Sequence, residues 1–337
     1  MSTHTLTKQQ HGAALLAAML TVALVATLAA GAMWQQWRGI EVEGAERERA
    51  QARWLLVGAL DWARVILRED ARASTTGGNT NTDHLAEPWA VPLQEARLSS
   101  FLAALPDGGG NNNDNDELAQ QVLLSGQITD LQGRLNVANL VQSQRVEANS
   151  HAAFARLFDA LGVPVEQLTL LEQGLVSAQQ RADSAAPLMP QRVSQLGWVG
   201  LSTQSLRVLQ AHLTLLPVAT PVNVNTASAE VLYASVPGLS MGNARRLVEQ
   251  RSRSHWSSLD DFKKAIGRDA GLSANTHSVE TRFFEVWGQL RMPHTHLQER
   301  SVVQRNGTDL KVLWRESRPW DLQSTALSPN SRPASLQ

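Results

Sequence analysis

Cysteine is missing from the 337 residues, and tyrosine occurs once. Without cysteine there are no disulfides, thiolate nucleophiles or thiolate metal sites, and the redox compartment is left open. Charge is sparse at 18% of residues, below the roughly 25% usual in soluble domains. Neither sign dominates, with 30 basic against 31 acidic residues. That balance argues against a general electrostatic binder of nucleic acid. Apolar residues make up 43% of the chain, enough for a sizeable core, and the length suggests about two domains.

The one long stretch without charge runs from Gly12 to Trp34, and only Thr21 and Thr27 in it are clearly polar. As a helix it would span about 34 Å, enough for a bilayer core of about 30 Å. Trp34 and Trp37 stand where an interfacial aromatic belt belongs, and Arg38 ends the run. Three readings fit: a cleaved secretory signal, an uncleaved anchor, and a prepilin-type leader. In the third, the polar segment MSTHTLTKQQHG ends in Gly12 directly before the apolar run, and cutting between Gly12 and Ala13 leaves the span attached.

Glu41 to Asp70 contains no proline and only Gly44 and Gly58 as poor helix formers. Leu55, Ala59, Trp62 and Ile66 recur at spacings of four, three and four, broadened by Leu56, Leu60 and Leu67. The spacing predicts one rod from Ala13 to about Ala71, its first part in lipid and its second packed on a globular domain. The breaker-rich Ser74–Thr82 ends it. Asp107–Glu117 reads as a low-complexity loop without calcium-loop spacing. Leu123–Leu140 reads as a hairpin, while His151–Leu161 and Ser202–Leu216 read as helices separated by an irregular Ser177–Gln195. Val222–Ile266 reads as a helix-hairpin-helix unit capped by Asn225 or Thr226, with a tight turn at Pro237–Gly238 and a third helix opened by Ser258. Thr281–Met292 and a hairpin around Asn306–Gly307 return to strands. The order implies a helical block inserted into a small antiparallel sheet that packs on the rod.

Three rival chemistries have partial signatures in the sequence. Gly238–Gly242 matches the G-x-S-x-G elbow around Ser240, with Asp260, Asp261 and His277 downstream, but the elbow needs a preceding strand and here a helix precedes it. The helix-hairpin-helix resembles that of membrane-anchored DNA receptors of competence type, which offers backbone N–H groups at a helix start to phosphates, with Arg245, Arg246, Arg251, Arg253, Lys263 and Lys264 supplying positive charge. Its turn reads GLS where DNA binders usually carry a second glycine, and Glu230, Glu249, Asp260 and Asp261 offset the charge. His294 and His296 have no third ligand at useful spacing for zinc.

The Gly12 leader, GRLNVANL (Gly133–Leu140), PVNVNTASAEVL (Pro221–Leu232) and the closing FFEVWGQL with its hairpin follow one another as in the minor pseudopilin K family of type II secretion systems, which the chain resembles from Gly12 to Arg315. The resemblance implies an α+β pseudopilin fold: a leader (1–12), transmembrane helix (13–34), periplasmic helix (35–72), first β region (73–149), inserted helical domain (150–277), last strands (278–316) and a tail (317–337). It implies cleavage by prepilin peptidase between Gly12 and Ala13 with methylation of the new terminus. It also implies inner-membrane anchoring with a periplasmic domain, and assembly with other minor pseudopilins. No catalysis and no nucleic-acid partner are expected. Ala17, the fifth residue after the cut, replaces the glutamate most pseudopilins carry, which marks a subunit with none above it. Leu55, Leu56, Ala59, Trp62 and Ile66 are the expected partner face. The family's acidic calcium-linked stretch is reduced here to Glu172 and Asp183, a poor start for an ion that takes about six to eight oxygens.

Overall fold

The computed structural model describes residues 11–76, 82–103, 117–180, 186–267 and 271–319. Helix α1 runs unbroken over His11–Thr76, about 100 Å at 1.5 Å per residue. The described chain resumes at Thr82, passes a 3₁₀ turn at Pro88–Ala90, and enters β1 (Leu93–Arg97), α2 (Leu98–Ala103), α3 (Glu117–Gln121) and β2 (Leu123–Asp130). After Asp130 comes the helical block: β3 (Leu135–Asn136), β4 (Val141–Gln142), β5 (Arg145–Val146), α4 (Ala148–Ala160), α5 (Val165–Gln180), α6 (Thr203–Leu209), β6 (Leu213–Thr214), β7 (Val222–Asn223), α7 (Ala229–Ser235), α8 (Met241–Arg253), α9 (Leu259–Ile266) and β8 (His277–Ser278). Strands β9 (Phe283–Arg291), β10 (His296–Asn306) and β11 (Asp309–Pro319) close the chain's described part.

The principal sheet has the order β1-β2-β9-β10-β11, antiparallel throughout. Strands β2 and β9 pair directly, with Leu124 opposite Leu290 and Asp130 opposite Phe284. The block between them is therefore an insertion that leaves and re-enters at one end of two neighbouring strands. On the rod, Ala52, Leu56, Leu60, Ala63, Leu67 and Ala71 are buried, spaced by three or four. This is the period of one helical face. Leu56 packs with Leu124, Leu290 and Leu297, while Leu60 and Leu67 pack with Ile128, Phe284 and Val303. Each strand contributes alternate residues to that face, as the pleat requires.

The expected hairpin over Leu123–Leu140 does not form. Its first half is β2, and its second half, β3, pairs in parallel with β6 inside the block. Leu135, Val137, Leu140 and Val141 lie in the block's core, so the insertion starts at residue 131 instead of 150. The helix expected over Ser202–Leu216 begins as read, with Ser202 capping, but stops at Leu209 because Leu213 and Thr214 pair with β3. Helix α5 occupies the start of the stretch read as irregular and ends at Gln180. Helix α7 is capped by Ser228, not by Asn225 or Thr226. Those two side chains are engaged elsewhere: the Asn225 amide clamps Trp256 and the Thr226 hydroxyl donates to Asp130. The hairpin at Asn306–Gly307 forms as read, with Gly307 at φ +57°. Strand β11 runs to Pro319, three residues into the stretch read as tail. Most of the loop read over Asp107–Glu117 (residues 107–116) lies outside the described residues.

Candidate functional site

The candidate site is the outward surface of α1, where the helix packs against none of the other described residues. Its span from Leu15 through Ile40 exposes Leu, Val, Met and Trp side chains on every side, and this helix is long and apolar enough to cross a membrane. Trp34 and Trp37 lie against one another at its end, ring centroids 6.1 Å apart. Exposed ion pairs follow, Arg47–Glu43 at 3.3 Å and Arg49–Glu46 at 3.1 Å. Such pairs suit a solvated helix and contribute little to stability.

Beside the sheet, the residues expected to meet partners fall in two classes. Leu56 is 2% exposed and belongs to the internal core. Leu55, Ala59, Trp62 and Ile66 are half-buried along the flanks of the rod, with Leu55, Ala59 and Ile66 packed on core clusters. The face turned fully outward carries Trp54, Gly58, Asp61 and Val65, with Trp54 75% exposed. The spacing from 54 to 58, 61 and 65 repeats the same helical period one residue ahead of the expected stripe. Sequence reasoning missed Trp54 because an apolar stripe and its neighbour cannot be told apart until the sheet chooses one. Gly12 and Ala13 lie in the first turn of α1, and Ala17 lies exposed in the span.

The two quoted asparagine-rich segments meet at the seam between sheet and block. Asn136 donates to the Val218 carbonyl at 2.8 Å and accepts from the Leu216 N–H, and Asn139 exchanges bonds with the Thr220 backbone. Asn223 donates to the Asp83 carbonyl and to Asp130, while Thr226 donates to Asp130 at 2.6 Å. Asn225 holds both the N–H and the carbonyl of Trp256. Gly133 is required here, since a Cβ would stand 2.8 Å from the Thr226 hydroxyl. These residues bind backbone to backbone and hold the insertion to the sheet; buried polar groups need such partners.

Beside the seam, Asp70, Asp83 and Glu87 gather within 4.8 Å of one another. Arg305 donates to Asp70 at 2.7 Å and to Asp83, so a guanidinium already holds two of the three carboxyl groups. Burial pushes Asp83 up to about 7 against the pull of Arg305, and pushes Glu87 up to about 7. Burial drives His84, stacked on His255 at 3.7 Å, down to about 4.

The rival sites resolve into structural roles. The Ser240 hydroxyl accepts from the Asn243 N–H as the cap of α8, and Ser258 caps α9 while its hydroxyl donates to Asp261. His277 is buried and partners Thr276. Arg251 is buried and donates to the Val224 carbonyl at 2.7 Å. Arg253, Lys263 and Lys264 pair with Glu249, Asp260 and Asp261, while Arg245 and Arg246 stand exposed on α8. Glu172 is buried and bonded to His151 Nδ1 at 2.6 Å; Asp183 lies outside the described residues. His294 donates its N–H to Glu48, and His296 opens β10.

Comparison with known proteins agrees with this architecture. The model of the family described as type II secretion system protein K matches residues 222–280, the α7–α9 unit and its seam strands. Type II secretion system protein K of Pseudomonas aeruginosa is 29% identical over 324 residues, covering 90% of this chain and 91% of the relative. The protein of the same name from Pectobacterium carotovorum subsp. carotovorum is 26% identical, covering 91% and 96%. Among solved structures, a chain of the GspK–GspI–GspJ complex of the enterotoxigenic Escherichia coli type 2 secretion system superposes with a TM-score of 0.60. It is 19% identical and covers 82% of this chain and 99% of that one.

Proposed function

The resemblance to protein K of the type II secretion system holds along nine-tenths of the chain, and from it we propose that this protein is a non-enzymatic minor pseudopilin at the tip of a secretion pseudopilus. The observation that carries the tip position is where the insertion sits. The block leaves β2 at Asp130 and rejoins near Phe283, at the end of the sheet that contacts Asp70 through Arg305 and Asp83. The opposite end, around Leu124 and Leu290, meets Leu56, nearer the membrane-spanning part of α1. The bulk therefore lies at the end of the rod farthest from the anchor. A subunit so built has room at a fibre end and would crowd the subunit above it within a fibre.

Ala17 supports the same placement. A carboxylate at this depth would be costly in lipid without the amino terminus of a neighbour, and a terminal subunit has no such neighbour above. Cleavage between Gly12 and Ala13 by prepilin peptidase frees the span for assembly, with the rest of the chain on the periplasmic side of the inner membrane. The related complex contains GspI and GspJ, and the counterparts of these two pseudopilins are the partners proposed here, meeting the outward face of α1 around Trp54. No cofactor is part of this reading: Glu172 is already held by His151, which leaves calcium a poor ligand set. Calcium that raised the unfolding temperature would overturn that part.

The test is to mix this protein with its counterpart minor pseudopilins and measure mass by light scattering. One copy per complex is expected; self-polymerisation, or no association, would reject the tip assignment. Amino-terminal sequencing of membrane-extracted protein should read Ala13 first, and an intact Met1 would refute processing.

A further inference from the structure

A cavity of about 270 Å³ lies between the rod and the inner face of the sheet. Its cause is a row of the sheet that lacks side chains on two neighbouring strands. Gly126 on β2 pairs with Gly288 on β9, which pairs in turn with Glu299 on β10. The rows on either side are filled, by Leu124, Leu290 and Leu297 below and by Ile128 and Val286 above. Opposite the hollow, α1 presents Ala59 and Ala63, while Leu56 reaches down to the sheet at Gly288 and closes one end. The opening runs past Val91 and Leu93, both exposed.

Two polar groups line this apolar space. Glu299 is 4% exposed and Ser301 1% exposed, and among the described residues Glu299 Oε2 and Ser301 Oγ have no hydrogen-bond partner. The cation near Glu299 is Arg315, whose Nε stands 3.5 Å from Oε2 and whose side chain is well exposed. It balances charge without making the bond. A buried acceptor left unsatisfied costs about 1–3 kcal/mol, and native structures rarely keep one without a reason. For scale, a dry apolar cavity of about 150 Å³ suffices to bind benzene. This one is larger and adds acceptors to its wall.

We propose that the cavity is a binding site for a small, neutral, largely apolar molecule carrying one N–H or O–H, which donates a hydrogen bond to Glu299 with Ser301 beside it. The apolar body fills the space between Gly126 and the Ala59–Ala63 stretch of α1, beside Leu56. Arg315 already supplies the positive charge, so the complementary ligand is an N–H or O–H compound and not a cation.

The experiment uses the full chain in lipid nanodiscs and fluorine NMR of two probes, 5-fluoroindole and 5-fluoro-1-methylindole, with empty nanodiscs as the partition control. The two differ only at the ring nitrogen, which carries a proton in one and a methyl group in the other. Saturable binding of 5-fluoroindole is expected, with the methylated probe at least about tenfold weaker, the loss of one well-made buried hydrogen bond. Glu299→Leu should abolish the difference between the probes while leaving apolar binding. Equal binding of both probes to the unaltered protein, or no saturable binding up to the solubility limit, would overturn the proposal whatever the variant does. A Glu299→Leu chain that still prefers the N–H probe by the same factor would overturn the role of Glu299.

Discussion

Replacing Leu56 and replacing Trp54 should have opposite consequences, although the two stand two residues apart on one helix. Leu56 is 2% exposed and seated among Leu124, Leu290 and Leu297. Its Cδ2 lies 3.4 Å from where a Cβ on Gly288 would be, so the helix rests on the sheet there. Truncation to alanine removes three carbons from a packed site, at about 2–5 kcal/mol. Leu56→Arg adds the burial of an unpaired cation, several kcal/mol more. Against a total stability of about 5–15 kcal/mol, that change should unfold the sheet region. Trp54 is 75% exposed, so Trp54→Ala should move stability by no more than about 0.5 kcal/mol. If Trp54 anchors a partner pseudopilin, its loss should cost about 2 kcal/mol of association, roughly thirtyfold in Kd. Thermal unfolding followed by circular dichroism reads the first effect, and titration calorimetry with the partner domains reads the second. The reasoning fails if Leu56→Ala leaves the unfolding temperature unchanged, or if Trp54→Ala binds partners as tightly as the unaltered protein.

Asn225→Ala should destabilise the block by about 2–5 kcal/mol, because it strips the bonds to both the N–H and the carbonyl of Trp256 in a buried setting; chemical denaturation checks this, and a change under 1 kcal/mol, about the worth of one ordinary hydrogen bond, would contradict the clamp. Glu87 should make stability fall as pH rises. Its carboxyl is raised from 4.5 to about 7 in the fold, first by burial, so its contribution is complete below about 4.5 and is lost through about 7. Glu87→Gln removes that titration, so its stability relative to the unaltered chain should improve between pH 4.5 and 7; a constant difference refutes it. A truncated chain beginning at Glu41 lacks the exposed apolar span and should be soluble and monomeric, with a mixed α and β dichroism spectrum; a purely helical spectrum would deny the five-stranded sheet.

The sequence alone determined the features governed by local period and composition. The uncharged run from Gly12 to Trp34, the proline-free stretch behind it and the Asn306–Gly307 turn specify a long helix and a terminal hairpin through chain chemistry that needs no distant partner. Tertiary structure decided whatever depends on which surface finds which. Leu135 and Asn136 have strand character in the sequence, yet only the packed block shows that they pair with Leu213 and Thr214 rather than fold back on β2. Asn225 and Thr226 look like helix caps because both can accept from a nearby N–H, but Trp256 and Asp130 compete for them and Ser228 is left to cap. The stripe from Leu55 to Ile66 and the stripe from Trp54 to Val65 both have the helical period. The choice between them came from the sheet, whose Leu124, Leu290 and Val303 bury the line through Leu56, Leu60 and Leu67 and leave Trp54 facing outward. A periodic pattern fixes the spacing of a face, and its direction is set by the partner that removes it from water.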